Sequence, residues 1–365
     1  MIELDRTLAA RHPLRFSGRR RAWPQLIARS LGRFARSDRA ADALAKVRQA
    51  LYAIGRRKQA RTPEIEVLVH AVDRAALLGA LRTLPLLGQT ADGKRIHAGR
   101  LEPDSPLLRE IGRLRELSFR AVGEGTGRRL DVDAYDGWYE HIVLWDPEAL
   151  EIAGAYRVAL GEQVLAERGV DGLYTASLFR YDCSALARLV QGVELGRSFV
   201  APAYWNSRSL DYLWTGVGAW LRQHPEVRYL FGSVSASAAL PPSARDQLVA
   251  YYRNYFGAGN EQARALHPFR FDGVAPDFGD LDAEDSFRVL KANLDRLGVK
   301  VPTLYKQYTE LCEPGGARFL AFGVDPDFAN SVDGLIELDL RRIKPRKRER
   351  YLEAPGMPCR GLQPA

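Results

Sequence analysis

The stretch Glu194-Leu-Gly-Arg197-Ser-Phe-Val200 decides how this chain is read. Its branched and aromatic residues make it a strand, yet it carries two charges. A charged side chain among Leu195, Phe199 and Val200 is expensive to bury unless it is paired. Strict alternation puts residues three apart on opposite faces of a strand. A bulge at Gly196 would bring Glu194 and Arg197 to the same side, and glycine is the residue that permits one.

Residues 142–145, 152–158 and 173–179 are strand candidates leading up to this stretch, each bounded by Gly, Asp or Pro. After it, residues 209–223 read as a helix, 227–234 as a strand, 243–255 as a helix and 257–282 as a long Gly-, Pro- and Asp-rich loop. Residues 287–297 form a helix stopped by Gly298, and 318–324 and 335–340 are two closing strands. Upstream, residues 65–72 read as a strand and 107–122 as an amphipathic helix that ends in Gly123-Glu-Gly125-Thr-Gly127. Strands in a meander, then alternating with helices, predict an α/β (α+β) chain with a mixed central sheet rather than a doubly wound parallel one. The glycine-rich loop has two open readings, a phosphate cradle and a plain turn; the turn is favoured.

The net charge of +8 hides an asymmetry. Residues 1–60 carry +11, residues 341–365 carry +6, and the body between them is acidic at −9. Leu26, Ile27, Leu31 and Phe34, then Leu44, Val47, Leu51 and Ile54, repeat at helical spacing among arginines. Such basic amphipathic helices dock on a parent domain or lie on an anionic membrane surface. The expected division is a basic N-terminal extension (1–64), a main domain (65–345) and a basic C-terminal tail (346–365). No run of about 18 apolar residues predicts a membrane span, and Met1 to Arg11 has no apolar signal-peptide core. Cys183, Cys312 and Cys359 fit neither a zinc spacing nor a disulfide framework, so a reducing cytoplasm is expected.

Walker A, GxGxxG, HExxH and GxSxG signatures are missing, as is any motif for reading nucleic-acid bases. What remains is polar residues in unusual places. Asp131-Val-Asp133-Ala-Tyr-Asp136, followed by His141, leaves open a metal site, a charge cage, a base or a solvated acidic loop. Arg157 ends an otherwise apolar strand, as Glu194 and Arg197 interrupt one.

In order along the chain, Arg115-Glu-Leu-Ser-Phe119, Asp133-Ala-Tyr-Asp136, His141, Tyr156-Arg157, Glu194-x-x-Arg197 and Pro302-Thr-Leu-Tyr-Lys306-Gln-Tyr308 resemble the GNAT-superfamily N-acyltransferases that use acyl carrier protein. These comprise the ornithine-lipid and N-acyl amino acid synthases, with acyl-homoserine-lactone synthases as more distant relatives. Glu110-Ile-Gly-Arg-Leu-Arg-Glu-Leu-Ser-Phe-Arg120, the glycine-rich loop and Phe322-Gly-Val-Asp-Pro-Asp-Phe328 are similar to the subset called hemolysin-like. The resemblance spans roughly residues 65–350 and implies a mostly antiparallel GNAT-like sheet flanked by helices. The roughly 65 basic-rich residues that precede it contain no His-x4-Asp motif of a glycerolipid acyltransferase domain, and the acetyl-CoA pyrophosphate loop of ordinary GNAT enzymes is not evident.

The implied reaction moves a long acyl group from acyl carrier protein, or acyl-CoA, to the amine of an amino acid such as ornithine, with no permanently bound cofactor and no metal. Glu194 is then the base or the anchor of the ammonium, and Arg197 holds Glu194 or grips a substrate carboxylate. His141 is the second base candidate, while Asp133 and Asp136 shape the amine pocket. Arg115 and Arg157 order the acidic loop, and Phe119 lines an acyl channel or the core. Acyl carrier protein is the implied partner, steered by basic ends that equally suit an anionic membrane. Nucleic acid is not a partner. The expected location is the cytoplasm, with a peripheral position at the inner face of the membrane. The rival readings are a lysophospholipid O-acyltransferase and a non-catalytic, hemolysin-like membrane-binding protein.

Overall fold

A computed structural model of the chain describes residues 65–259 and 262–353. The helical pattern read over residues 26–54 lies outside the described residues. The first half runs α1 (Arg74–Leu81), β1 (Leu86–Gln89), β2 (Arg95–Arg100), α2 (Pro106–Ala121), β3 (Glu140–Asp146), β4 (Glu151–Leu160), α3 (Gly161–Arg168), β5 (Phe179–Tyr181) and α4 (Cys183–Leu189). The second half runs β6 (Gly192–Val200), α5 (Ser209–Leu221), β7 (Tyr229–Ala236), α6 (Pro242–Phe256), β8 (Ala263–Ala265), α7 (Ala283–Arg296), α8 (Thr303–Leu311), β9 (Ala317–Asp325), β10 (Ser331–Asp339) and α9 (Pro345–Arg348).

Eight strands form one sheet in the order β1-β2-β3-β4-β6-β7-β10-β9, and β5 pairs with β8 apart from it. The pairing is antiparallel throughout the large sheet except between β6 and β7. This is the mixed sheet that the pattern predicts, mostly antiparallel and flanked by helices as the family resemblance implies. Its centre is buried on both faces, which is why β3 and β4 read as nearly continuous apolar runs. Ile142 and Leu144 point to the face packed by α5, with Leu213 and Val217. Val143 and Trp145 point to the other face, where Leu107, Leu108 and Ile111 of α2 cover them. The Ser105 hydroxyl caps α2 by accepting from Leu107 N at 3.2 Å, and Pro106 supplies the fixed first turn. Gly123, at φ +76°, ends it.

Two expected strands are corrected. Residues 65–72 form no ladder: Glu66 N donates to Gly127 O at 2.9 Å and Val69 N to Arg129 O at 3.3 Å. The partner is the irregular glycine-rich loop, which offers no regular strand edge, and Val67 is 85% exposed. Residues 173–179 are mostly a 3-10 turn, Tyr174–Ser177, with strand starting only at Phe179. The N–H groups of Tyr174 and Thr175, which a strand would offer to a neighbour, go instead to the Glu194 carboxylate.

The parallel ladder between β6 and β7 covers only Gly192–Glu194 against Tyr229–Phe231, although both strands continue. Beyond it they diverge, leaving a narrow apolar recess lined by residues that include Leu195, Gly232, Val234 and Tyr308. Gly232, the first residue of β7 past the ladder, still lies tight against β6: a Cβ there would be 2.1 Å from Leu195 O. Gly232→Ala is expected to force this backbone apart and destabilise the fold by about 1–3 kcal/mol, measured by urea unfolding.

Candidate functional site

The polar residues singled out in the sequence converge on the α2 face of the sheet. In register, His141 of β3 faces Arg157 of β4, and Arg157 faces Gly196 of β6. Glu194 is two residues from Gly196 and shares that face. The bulge exists, one residue later than expected: β4 steps from Ala155 to Arg157 while β6 steps from Phe199 to Gly196. Arg197 itself takes φ +48°, a conformation that is uncommon outside glycine. The turn swings its guanidinium to the side of Arg157 and Glu194, where both arginines lie over the Tyr174 ring, at 5.3 Å and 4.7 Å.

Asp136 is the hub of the acidic segment. It caps its own 3-10 turn by accepting from Asp133 N at 2.9 Å. It receives the Arg115 fork at 2.9 and 2.8 Å, Arg157 Nη1 at 3.2 Å and His141 Nε2 at 3.1 Å. Burial opposes its charge, but the Arg115 charge, the His141 hydrogen bond and the Arg157 charge outweigh it and hold Asp136 far below the usual carboxylate range. His141 shifts the other way: burial, reinforced by the charges of Arg115 and Arg157, pulls it down despite Asp136. The carboxylate can only accept, so Nε2 carries the proton and Nδ1 presents a buried lone pair with no protein partner. Arg157 also binds Asp133 Oδ1 at 2.6 Å and is ringed by Tyr135, Tyr139 and Tyr174. Arg197 lies 3.3 Å from Asp131 Oδ2 and 3.8 Å from Asp133 Oδ2, and donates to Tyr174 OH at 3.1 Å. The acidic segment is therefore a charge cage. No three or more His, Cys, Asp or Glu among the described residues are grouped to hold a metal.

Glu194 sits deeper, 1% exposed. Its carboxylate accepts from Thr175 N at 2.7 Å, from Tyr174 N at 3.1 Å and from the Tyr139 hydroxyl. Burial pushes it above the ordinary carboxylate range, opposed by the bonds from Tyr139 and Thr175. Phe119 of α2 meets Phe328 edge-on at 5.0 Å, and Phe328 lies beneath Arg197. Trp145 and Phe179 are wholly buried core residues.

A second carboxylate group adjoins this cage. Glu124 accepts from Ser235 Oγ of β7 at 3.0 Å, Asp333 of β10 accepts from Ser233 Oγ, and Asp325 of β9 accepts from Tyr174 OH at 3.3 Å. Burial raises all three, Glu124 and Asp333 to about 7. The rule that found Glu194 and Arg197, a charge inside an apolar strand, applies equally to Asp333 in Ser331-Val-Asp-Gly-Leu-Ile336. The glycine-rich loop is a turn whose Thr126 and Gly127 N–H groups already donate to Glu116, at 3.0 and 2.8 Å.

Residues 114–215 match the acetyltransferase (GNAT) domain family, which makes the chain an acyltransferase enzyme of the GNAT class. A protein of Phocaeicola vulgatus described as glycine N(alpha)-acyltransferase is 33% identical over 268 residues, covering 69% of this chain and 82% of its own length. An L-ornithine N(alpha)-acyltransferase of Brucella abortus is 29% identical, covering 63% and 81%. A solved CoA-dependent acyl-homoserine lactone synthase aligns with 71% of this chain and 94% of its own at 12% identity and TM-score 0.34. The chain belongs to the same family as these N(alpha)-acyltransferases.

Proposed function

We propose that this enzyme moves a long fatty acyl group from a thioester to the α-amine of an amino acid, releasing an N-acyl amino acid. The observation that carries the reading is the cage itself. An amino acid brings one cation and one anion, and this face holds both complements within a few ångströms. Arg197 meets a carboxylate, while Asp133 and Glu124, which like Arg197 are only partly buried, meet an ammonium. Relatives described as acting on glycine and on L-ornithine support this acceptor class. Glycine is the first acceptor to test, ahead of ornithine, because the chain covers 82% of the glycine relative at the higher identity.

The donor enters where β6 and β7 diverge. Two strand edges that have stopped pairing present N–H and C=O groups to a linear amide-bearing arm, much as a sheet edge takes a peptide. The apolar recess between them suits the start of an acyl chain. Acyl carrier protein is the donor proposed, with acyl-CoA as the substitute carrying the same arm. Arg341, Arg342 and Arg346 are exposed and give an acidic carrier protein, or an anionic membrane surface, a basic approach. Among the described residues no helix is long and apolar enough to cross a membrane. Within the cage Glu194 anchors the Tyr174–Ser177 turn, and His141 and Arg115 fix Asp136.

The test incubates the purified protein with palmitoyl-acyl carrier protein or palmitoyl-CoA and with glycine, ornithine or lysophospholipid, followed by mass spectrometry. N-palmitoyl amino acid is expected. Acylation of the lysophospholipid alone, or no product from any pair, overturns the reading.

A further inference from the structure

The acyl transfer needs a base, and the residues that the sequence nominates are poorly placed to be one. Glu194 is spent on three donors, and Asp136 is gripped by two arginines and a histidine. His141 is 1% exposed, and its protonated form is disfavoured by two neighbouring guanidinium groups. Glu124 differs from all of them. It is half-buried rather than sealed, and a neutral hydroxyl holds it in place of a cation.

Its position is built. Glu116, itself fully buried, pins Thr126 and Gly127 behind it. The loop's other end is fixed by Ser237 Oγ donating to Gly123 O at 2.9 Å, where a Cβ on residue 123 would collide with Ser237 and Ala239. The loop is thereby stapled to the end of β7, the strand that diverges from β6. Ser233 and Ser235 are two apart on β7 and so point to one side, each carrying a carboxyl. Asp333 sits opposite Ser235 in the β7–β10 register, and its Oδ2 is buried without a protein partner. The charged and titratable groups facing the pair are Arg197 from β6, Asp325 from β9, Tyr174 from the 3-10 turn and Tyr305 from α8.

We propose that Glu124 is the catalytic base of the transfer and that Asp333 is a positioning residue that keeps it basic, the two carboxyls being hung from alternate serines of β7. This rests on the acyl-transfer reading above. The amino acid arrives as an ammonium ion, and Glu124 takes one N–H proton to become a carboxylic acid. The freed lone pair forms the C–N bond at the thioester carbonyl. Collapse breaks the C–S bond and expels the thiolate, which takes the second N–H proton and leaves as a thiol. Glu124 then returns its proton to water. Burial keeps Glu124 basic near neutrality, and because two nearby carboxyls resist ionising together, Asp333 adds to it. Arg197 favours the ionised state that must form before the proton is taken.

The experiment is the pH profile of kcat/KM for the wild-type enzyme, Glu124→Gln and Asp333→Asn, with melting curves to confirm folding. Wild-type activity rises with pH to a plateau through about 7, because the base works only when ionised. Glu124→Gln is expected to fall by about 10²–10⁴-fold and to lose that limb. Asp333→Asn removes a like charge, so its limb moves to lower pH while the plateau stays within about tenfold, a shift that a purely structural residue would not give. A Glu124→Gln enzyme that keeps both its rate and its limb overturns the base, and an unmoved midpoint in Asp333→Asn overturns the pairing. If Glu124→Gln fails to fold, the Asp333→Asn midpoint decides. A wild-type enzyme that forms no N-acyl product overturns the functional reading instead.

Discussion

Asp136→Asn is expected to destabilise the fold by about 3–5 kcal/mol at pH 7, the usual loss when one member of a buried ion pair is removed. Arg115 and Arg157 are each 1% exposed, so neither guanidinium can turn to water when its carboxylate is gone. Asparagine keeps one acceptor oxygen and turns an NH₂ group towards two forks that also only donate. Arg115 keeps the carbonyl of Asp131 and Arg157 keeps Asp133, so the cage loosens at its centre rather than at its rim. The pH dependence gives a second signature. Asp136 is held far below its ordinary value of 3.8, so its contribution is complete above the unfolded-state pKa and drains away as pH falls below it. Urea unfolding should therefore show a large gap between wild type and Asp136→Asn at pH 7 and a smaller one at pH 3. A gap that stays constant over that range would mean that the carboxylate's charge is not what holds the cage.

Why the sequence exposes part of this site and hides the rest follows from where each partner lies. Glu194, Arg197 and Arg157 announce themselves because a charge inside an apolar strand needs an explanation, and the spacing of Glu194 and Arg197 demands a bulge. Gly196 is the residue whose chemistry permits it, but Arg197 takes the left-handed turn, held over the rings of Tyr174 and Phe328. Those holders are far away in the chain. Tyr139 and Tyr174 read as ordinary core aromatics, and only folding brings a hydroxyl and two N–H groups onto Glu194. The same distance misleads the reading of residues 173–179, whose turn is stabilised by a side chain about twenty positions later. Glu124 is hidden differently: its flanking glycines draw attention to the loop as a turn and away from the acid it carries. Local cues also fail at β2, where Arg95-Ile-His-Ala-Gly-Arg100 has charged ends and a glycine, yet pairs along its whole length with β3.

Replacing Glu194 separates two roles that its position in the strand leaves open. As an anchor, Glu194 satisfies two backbone N–H groups and one hydroxyl in a place water does not reach. Glu194→Ala leaves Thr175 N and the Tyr139 hydroxyl without an acceptor, while Tyr174 N keeps the Tyr139 oxygen at 2.9 Å, so at about 1–3 kcal/mol for each unmet donor a loss of about 2–5 kcal/mol is expected. Glu194→Gln should cost less, about 1–3 kcal/mol. Its amide oxygen can still serve Thr175, its NH₂ can donate to Tyr139, and the strain of burying an anion is relieved, since burial already pushes this carboxyl upward. Activity divides the roles more sharply than stability does. An anchor predicts that folded Glu194→Gln retains kcat/KM within about tenfold and keeps the wild-type pH limb, whereas a proton acceptor loses about 10²–10⁴-fold whatever the fold does. Wild-type stability combined with a hundredfold loss of turnover in Glu194→Gln would make Glu194 the base and release Glu124 from that role. The opposite pair of results would leave Glu194 as the post on which the Tyr174–Ser177 turn, and with it the Tyr174 ring over Arg157 and Arg197, is hung.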